Sequence, residues 1–340
     1  MARAGIISAS HTTDSISGLD SNSGVISIAP HSHILPVKVF DALADSVPTD
    51  SLVNALNYAW MNGADVLSNS WGYVFSTCAA YPDDLVDDAI LNAFTSGRAG
   101  KGCPVIFSSG NQANFHAPVR YPACVPAAFS VGAIELNDVR WGYSNYGIEL
   151  DLVAPSGDIN RQGDVWTIDQ MGKDGANSPG GVFTCQPGHP IDGDYYCSFG
   201  GTSAAAPIVS GVAALIISKD SNLTAQEIYD ILRFSAVTEL DSDTITPPDT
   251  AYGYGRVDAF RAILSISRGD LDNDGNIGTN NDLTFMVDYI FRGGPLPFPS
   301  PLMGDCNCDG DANNVVDMTF LVDFIYRGSG IPPINPCYEF

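Results

Sequence analysis

Gly201-Thr202-Ser203-Ala204-Ala205-Ala206-Pro207 is the stretch that decides how the rest of this chain is read. Before it, Phe199-Gly200-Gly201 is glycine-rich and predicts a turn. After it, residues 204–218 are apolar and alanine-rich, interrupted only by Gly211, and predict a buried helix. Ser203 then falls in the first helical turn, where open backbone N–H groups and the helix dipole favour negative charge. A serine hydroxyl needs a base to take its proton and dipoles to hold the oxyanion that forms, and this placement supplies the dipoles. Pro207 lies one turn in, where its missing N–H costs little. A serine before an apolar helix is by itself most often a simple cap. A fixed Gly-Thr-Ser-Pro pattern, however, arises by chance in under about 1 % of chains this long, which favours a nucleophile.

Working outward, apolar strand-like runs alternate with helical ones over residues 1–265. Strands are expected at Ile34–Phe40, Val66–Ser70, Pro104–Ser109, Ala128–Ile134 and Leu150–Ala154. Helices are expected at Leu52–Asn62, Asp84–Ser96, Ala204–Lys219, Ala225–Ser235 and Val257–Ser265. Thr224-Ala225-Gln226-Glu227 has the form of a capping box. Such alternation implies an α/β fold with a parallel, doubly wound sheet. Residues 158–199 are rich in Gly, Asp and Pro, carry few strand signals, and read as an insertion. Residues 244–249 read as a loop.

With these residues in view, the chain resembles the subtilisin-like serine proteases. GTSAAAPIVSGVAALI at 201–216 is similar to their nucleophile motif. Ile28-Ala29-Pro30 with residues 34–39, Asp65 to Gly72, Val105 to Asn111, Tyr121-Pro122-Ala123, Val131-Gly132-Ala133 and Val153 to Gly157 resemble further family segments, in the family's order. The resemblance implies that Ser203 is the nucleophile and Asn111 the side-chain donor of an oxyanion hole. It implies that Ser70, Trp71 and Gly72, with Ser108, Ser109 and Gly110, line the substrate cleft. Trp71 departs from the small apolar residue usual at its position. A polypeptide substrate and no catalytic cofactor follow from the same resemblance.

The family's histidine motif, H-G-T-x-x-A-G, is matched only in its tail, by Ala4 to Ala9. His11, His31, His33, His116 and His189 stand outside any such motif. The expectation is an amino-terminally truncated, incomplete sheet that lacks the catalytic histidine and aspartate, with negligible peptidase activity. A parallel sheet without a central strand would also fold poorly.

The net charge of −24 argues against nucleic-acid binding, which needs a basic patch. No run of eighteen apolar residues indicates a membrane span. The eight cysteines form no plausible zinc set with histidines and fit extracellular disulfides. Cys185 with Cys197 is an expected local pair, and Cys337 is expected to pair with Cys308 or Cys306. An extracellular or cell-surface location is the expectation.

After Arg268 a repeat appears. Gly269 to Gly275 recurs as Gly304 to Gly310, and Asp282 to Gly293 recurs as Asp317 to Gly328. Leu283, Met286, Val287 and Ile290 share one helical face, as do Met318, Leu321, Val322 and Ile325. Oxygen side chains at loop positions one, three and five, then glycine at six, suit the hard calcium ion. The segment resembles the dockerin type I module, a small α-helical, EF-hand-like unit. That resemblance implies two Ca2+ ions, one held by Asp270, Asp272, Asp274 and Asp282, the other by Asp305, Asn307, Asp309 and Asp317. Backbone carbonyls of Asn276 and Asp311 would contribute. The closing aspartate stands at loop position 13 rather than 12 in both repeats. A cohesin-like partner is implied for the module.

The expected organisation is a peptidase domain over residues 1–265 and a dockerin-like module over 266–340. The expected function is that of a serine endopeptidase. A non-catalytic, calcium-dependent binding or surface-docking protein is the alternative.

Overall fold

The computed structural model describes residues 6–7, 27–40, 47–73, 77–80, 83–113, 118–158, 165–169, 195–240, 243–264, 266, 269–272, 276, 278–297, 301–304, 306 and 313–327. Its centre is a parallel sheet in the order β1-β2-β3-β4. The strands are β1 Leu67–Asn69, β2 Val105–Ser108, β3 Phe129–Ile134 and β4 Leu152–Pro155. Adjacent registers pair Leu67 with Val105, Ile106 with Phe129, and Val131 with Leu152. These strands read as continuous apolar runs because both faces are covered, as parallel sheets require.

Strand alternation sorts the side chains onto two helical layers. On one face, Val105, Phe107, Ile134 and Val153 join Leu52 and Leu56 of α1 (Thr49–Met61) and Val86, Ala89, Ile90 and Ala93 of α2 (Asp84–Gly100). On the other, Ile106, Phe129, Val131, Leu152 and Ala154 pack on α3 (Thr202–Lys219), α4 (Ala225–Phe234) and α5 (Ala259–Leu264). The α2 spacing of i, i+3, i+4 and i+7 gives one buried stripe. By contrast α3 is buried nearly all round, which explains its apolar, alanine-rich composition. Gly211 lets residue 28 approach α3: a Cβ there would lie 2.7 Å from Ile28 Cβ.

A buried ion pair ties α4 to the sheet. Asp151 accepts from Arg233 Nη2 at 2.6 Å and Nε at 3.0 Å, and from the Ser130 N–H at 2.7 Å. The Arg233 guanidinium lies over the rings of Phe129, Tyr229 and Tyr254.

Three expectations need correction or addition. Ile34–Phe40 forms no strand: the run is irregular, with Ile34, Leu35 and Phe40 exposed. Apolar character alone cannot make a strand, because the backbone must also find a ladder partner. Residues 158–199 contain more strand than their composition suggests, since β5 (Val165–Ile168) pairs antiparallel with β6 (Tyr195–Phe199). The aromatic-rich Tyr195-Tyr196-Cys197-Ser198-Phe199 run favours that pairing. Cys78 and Cys124 form a disulfide that sequence reasoning had not assigned. The pairings expected for Cys185 with Cys197 and for Cys337 lie outside the described residues.

In the carboxy-terminal repeats, α6 (Asn280–Arg292) and α7 (Val315–Val322) start in matching ways. Met286 and Leu321, at equivalent positions of the repeat, are fully buried with Leu271 and Cys306 in a separate small core. A single π-helical turn, Asp323–Arg327, extends α7.

Candidate active site

The site forms at the carboxyl ends of β1 and β2, where open parallel sheets commonly place their ligands. Gly201 is the N-cap of α3 and has φ +76°, so Ser203 is the second helical residue. The Gly201 conformation suits glycine, and a Cβ there would lie 2.9 Å from Asn111 Nδ2. Ser203 is half-buried beside fully buried Thr202 and Ala204, leaving the serine as the accessible residue of that turn. Pro207 cannot donate to the carbonyl of Ser203, four residues back. The Ser70 hydroxyl takes over that role, donating to Ser203 O at 3.0 Å. Ser70, expected at the cleft, therefore touches the turn that carries Ser203 directly.

Asn111 follows β2. Its Oδ1 accepts from both the N–H and the hydroxyl of Thr202, each at 2.8 Å. With the oxygen so used, the Nδ2 donor is directed beside Gly201. Thr202 Oγ1 in turn accepts the Gly110 N–H at 3.2 Å. Among the described residues, the Ser203 N–H has no acceptor, which leaves it available at the helix start. The two donors suited to an oxyanion are thus Asn111 Nδ2 and Ser203 N–H.

The remaining expected cleft residues divide. Ser108 is 7 % exposed and Ser109 is fully buried, its N–H bonded to Val131 O and its hydroxyl to Asn145 O. Gly110, at φ +109°, leaves no room for a side chain against Asn145, Arg120 and Gln112. Trp71 packs edge-on to Phe107 and near Phe40, and its indole N–H binds Asn69. Gly72 is exposed and lies against the carbonyl of Tyr121. Sequence reasoning assigned no role to Thr202, Tyr143, Asn145 or Ser156, because their contacts with the two turns are long-range.

Of the expected calcium ligands, Asp270, Asp272 and Asp282 have carboxylate oxygens within 4.8 Å of one another. Asp282 is fully buried; its Oδ1 accepts the Leu271 N–H at 2.7 Å, and its Oδ2 accepts the Thr279 N–H at 2.7 Å. Asp317 is also fully buried and accepts the Asn314 N–H at 3.0 Å. Asn276 is exposed. Asp274, Asp305, Asn307, Asp309 and Asp311 lie outside the described residues.

Comparison with known proteins bears on the family and the fold. A family model described as the subtilase family matches residues 1–255. The calcium-dependent protease of Trichormus variabilis is 33 % identical over 263 residues, covering 71 % of this chain and 37 % of that protein. Subtilisin NAT of Bacillus subtilis subsp. natto is 29 % identical over 228 residues, covering 66 % of this chain and 49 % of its own length. The chain therefore spans between about a third and a half of the length of these relatives. A solved serine protease of Aeromonas sobria superposes with a TM-score of 0.65 at 20 % identity, covering 77 % of this chain and 52 % of that one. At that identity the likeness concerns the fold.

Proposed function

The chain belongs to the subtilase family, and we propose that it carries the nucleophile half of a serine endopeptidase acting by acyl transfer. One observation carries the reading: Asn111 is anchored by its oxygen to Thr202, so its amide nitrogen faces the turn that presents Ser203. Ser203 Oγ attacks the substrate carbonyl carbon. The oxygen that becomes negative takes hydrogen bonds from Asn111 Nδ2 and the Ser203 N–H, at the positive end of α3. Collapse of that intermediate breaks the peptide C–N bond, and water then hydrolyses the acyl-enzyme. The cleft walls are residues 70–72 and 108–110.

A base must take the Ser203 proton. None of the chain's five histidines stands in the family's histidine motif. The chain on its own therefore has negligible peptidase activity, with weak acyl transfer from the oxyanion hole alone. An active-site-directed fluorophosphonate tests this. Slow labelling at Ser203, absent in Ser203→Ala, is expected when the adduct is mapped by mass spectrometry. Labelling scattered over other serines, or none at Ser203, would overturn the assignment.

Residues 266–340 form a dockerin-like, calcium-binding module. The fit at the first loop rests on the convergence of Asp270, Asp272 and Asp282. Oxygens on opposite sides of one calcium ion stand about 4.6–5.2 Å apart, so one ion can reach all three. Bound calcium would offset the repulsion among these carboxylates and fix the loop. The relative named as a calcium-dependent protease is in keeping with this reading. A cohesin-like protein is the partner proposed for the module. The Cys78–Cys124 disulfide supports an extracellular location. The convergence of carboxylates also favours the second reading, a calcium-dependent docking protein in which the peptidase fold serves as a scaffold.

A further inference from the structure

The turn at residues 143–145, beyond β3, touches both halves of the candidate site. Tyr143 is 4 % exposed, and its phenol oxygen accepts the Gly201 N–H at 3.2 Å, an N–H shared with Gly157 O at 3.3 Å, while donating to Gly157 O at 2.7 Å. At the other side of the same residue, Ser156 Oγ donates to Gly201 O at 2.6 Å. Trp141 stacks on the Tyr143 ring at 5.5 Å and bonds Ser156 O at 2.8 Å, so the clamp has its own support. Burial raises the Tyr143 phenol well above its ordinary range, which keeps it neutral and able both to donate and to accept.

The same turn reaches the oxyanion side. The Asn145 N–H donates to Gly110 O at 3.0 Å, and Asn145 Oδ1 accepts the Gln112 N–H at 2.8 Å. Tyr143 O accepts the Ala113 N–H at 3.1 Å. Gln112 Oε1 accepts the backbone N–H of Asn111 at 3.0 Å, closing the network on the main chain of the residue whose side chain is the proposed donor. Asn111 and Ser203 come from turns far apart in the sequence, yet an oxyanion donor must be placed to within about 0.5 Å to stabilise the charge.

We infer that Tyr143 and Asn145 are positioning residues that fix the Asn111 donor against Ser203, an inference that rests on reading Ser203 as the nucleophile. The test uses the full chain and a saturable fluorophosphonate, separating the maximal labelling rate from the concentration giving half that rate. Tyr143→Phe keeps the ring on Trp141 and removes only the hydroxyl. It is expected to lower the maximal rate about tenfold, from roughly one hydrogen bond's worth of misplacement, with half-saturation unchanged and only a small drop in melting temperature, since the Gly201 N–H keeps Gly157 O as an acceptor. Gly201 amide exchange, followed by NMR, is expected to accelerate in parallel. Asn145→Ala, acting from the oxyanion side, is expected to lower the same rate. Ser156→Ala, a smaller change at the other end of the clamp, serves as the second variant if Asn145→Ala fails to fold. Faster exchange at Gly201 with a labelling rate like that of the wild type would make Tyr143 merely structural and overturn the inference alone. Failure of the wild-type chain to label at Ser203 would instead remove the nucleophile reading, and the inference with it.

Discussion

The start of α3 and the starts of α4, α6 and α7 solve the same problem in opposite ways. Every helix leaves its first N–H groups without intrahelical partners. α4 closes its own start with Thr224 and Glu227, α6 with Thr279 and Asp282, and α7 with Asn314 and Asp317, each a reciprocal capping box. α3 begins at Gly201, which has no side chain to cap with. Its first N–H is taken by Asn111, 91 residues away, and the next, on Ser203, stays open among the described residues. A helix that only supports can seal itself locally. On the proposed function, α3 keeps a donor open for a transient negative charge and borrows its cap from another turn, which orients that cap as a second donor.

The sharpest way to break this comparison is at Asn111. Asn111→Leu removes both the cap and the donor, so fluorophosphonate labelling of Ser203 is expected to fall about 10²–10³-fold. The melting temperature is expected to fall as well, because the Thr202 N–H loses its acceptor at a cost of about 1–3 kcal/mol. Asn111→Asp keeps an acceptor for Thr202 and loses the amide donor. Labelling should then drop while the melting temperature holds, and an Asp variant that labels like the wild type would show that Asn111 is a cap alone.

A smaller effect is expected at Asp282, which braces the first repeat through Leu271 and Thr279. Asp282→Ala, measured with calcium chelated, should destabilise α6 by roughly 2 kcal/mol. Amide exchange in residues 280–292 should rise while exchange in the sheet stays unchanged. With calcium added, the wild-type repeats should gain protection that the variant lacks. Thr224→Ala gives the smallest change, about 1 kcal/mol in the main unfolding transition, with no effect on labelling. A labelling change there would blur the distinction between self-sealed and open helix starts.

Much of the sheet was legible because both of its faces are buried. Apolar runs at β1 to β4 and the stripe of α2 leave strong patterns, and the elements fall within a few residues of expectation. Ile34–Phe40 was equally apolar yet forms no strand, since a run cannot specify its own ladder partner. The Cys78–Cys124 disulfide joins residues 46 apart, and no spacing rule singles out that pair among eight cysteines. The turn that carries Ser203 and its neighbour Asn111 stood out through motif resemblance, and the fold brings the two together. The hydroxyls of Thr202, Tyr143 and Ser156 did not stand out, because an isolated Ser, Thr or Tyr looks the same whether it faces water or a buried backbone amide.

By itself, then, the sequence determined what is local and periodic. It set the apolar stripes, the helix of alanines behind Ser203, the capping box at Thr224, and an acidic repeat written twice. Tertiary structure alone decided which groups meet. It put Asn111 Oδ1 on Thr202, Ser70 on the carbonyl that Pro207 leaves unbonded, and the Tyr143 hydroxyl on Gly201. The reason is range: helical and strand periodicities act over a few residues, whereas a hydrogen bond between Asn111 and Thr202 depends on where a parallel sheet brings two distant turns together.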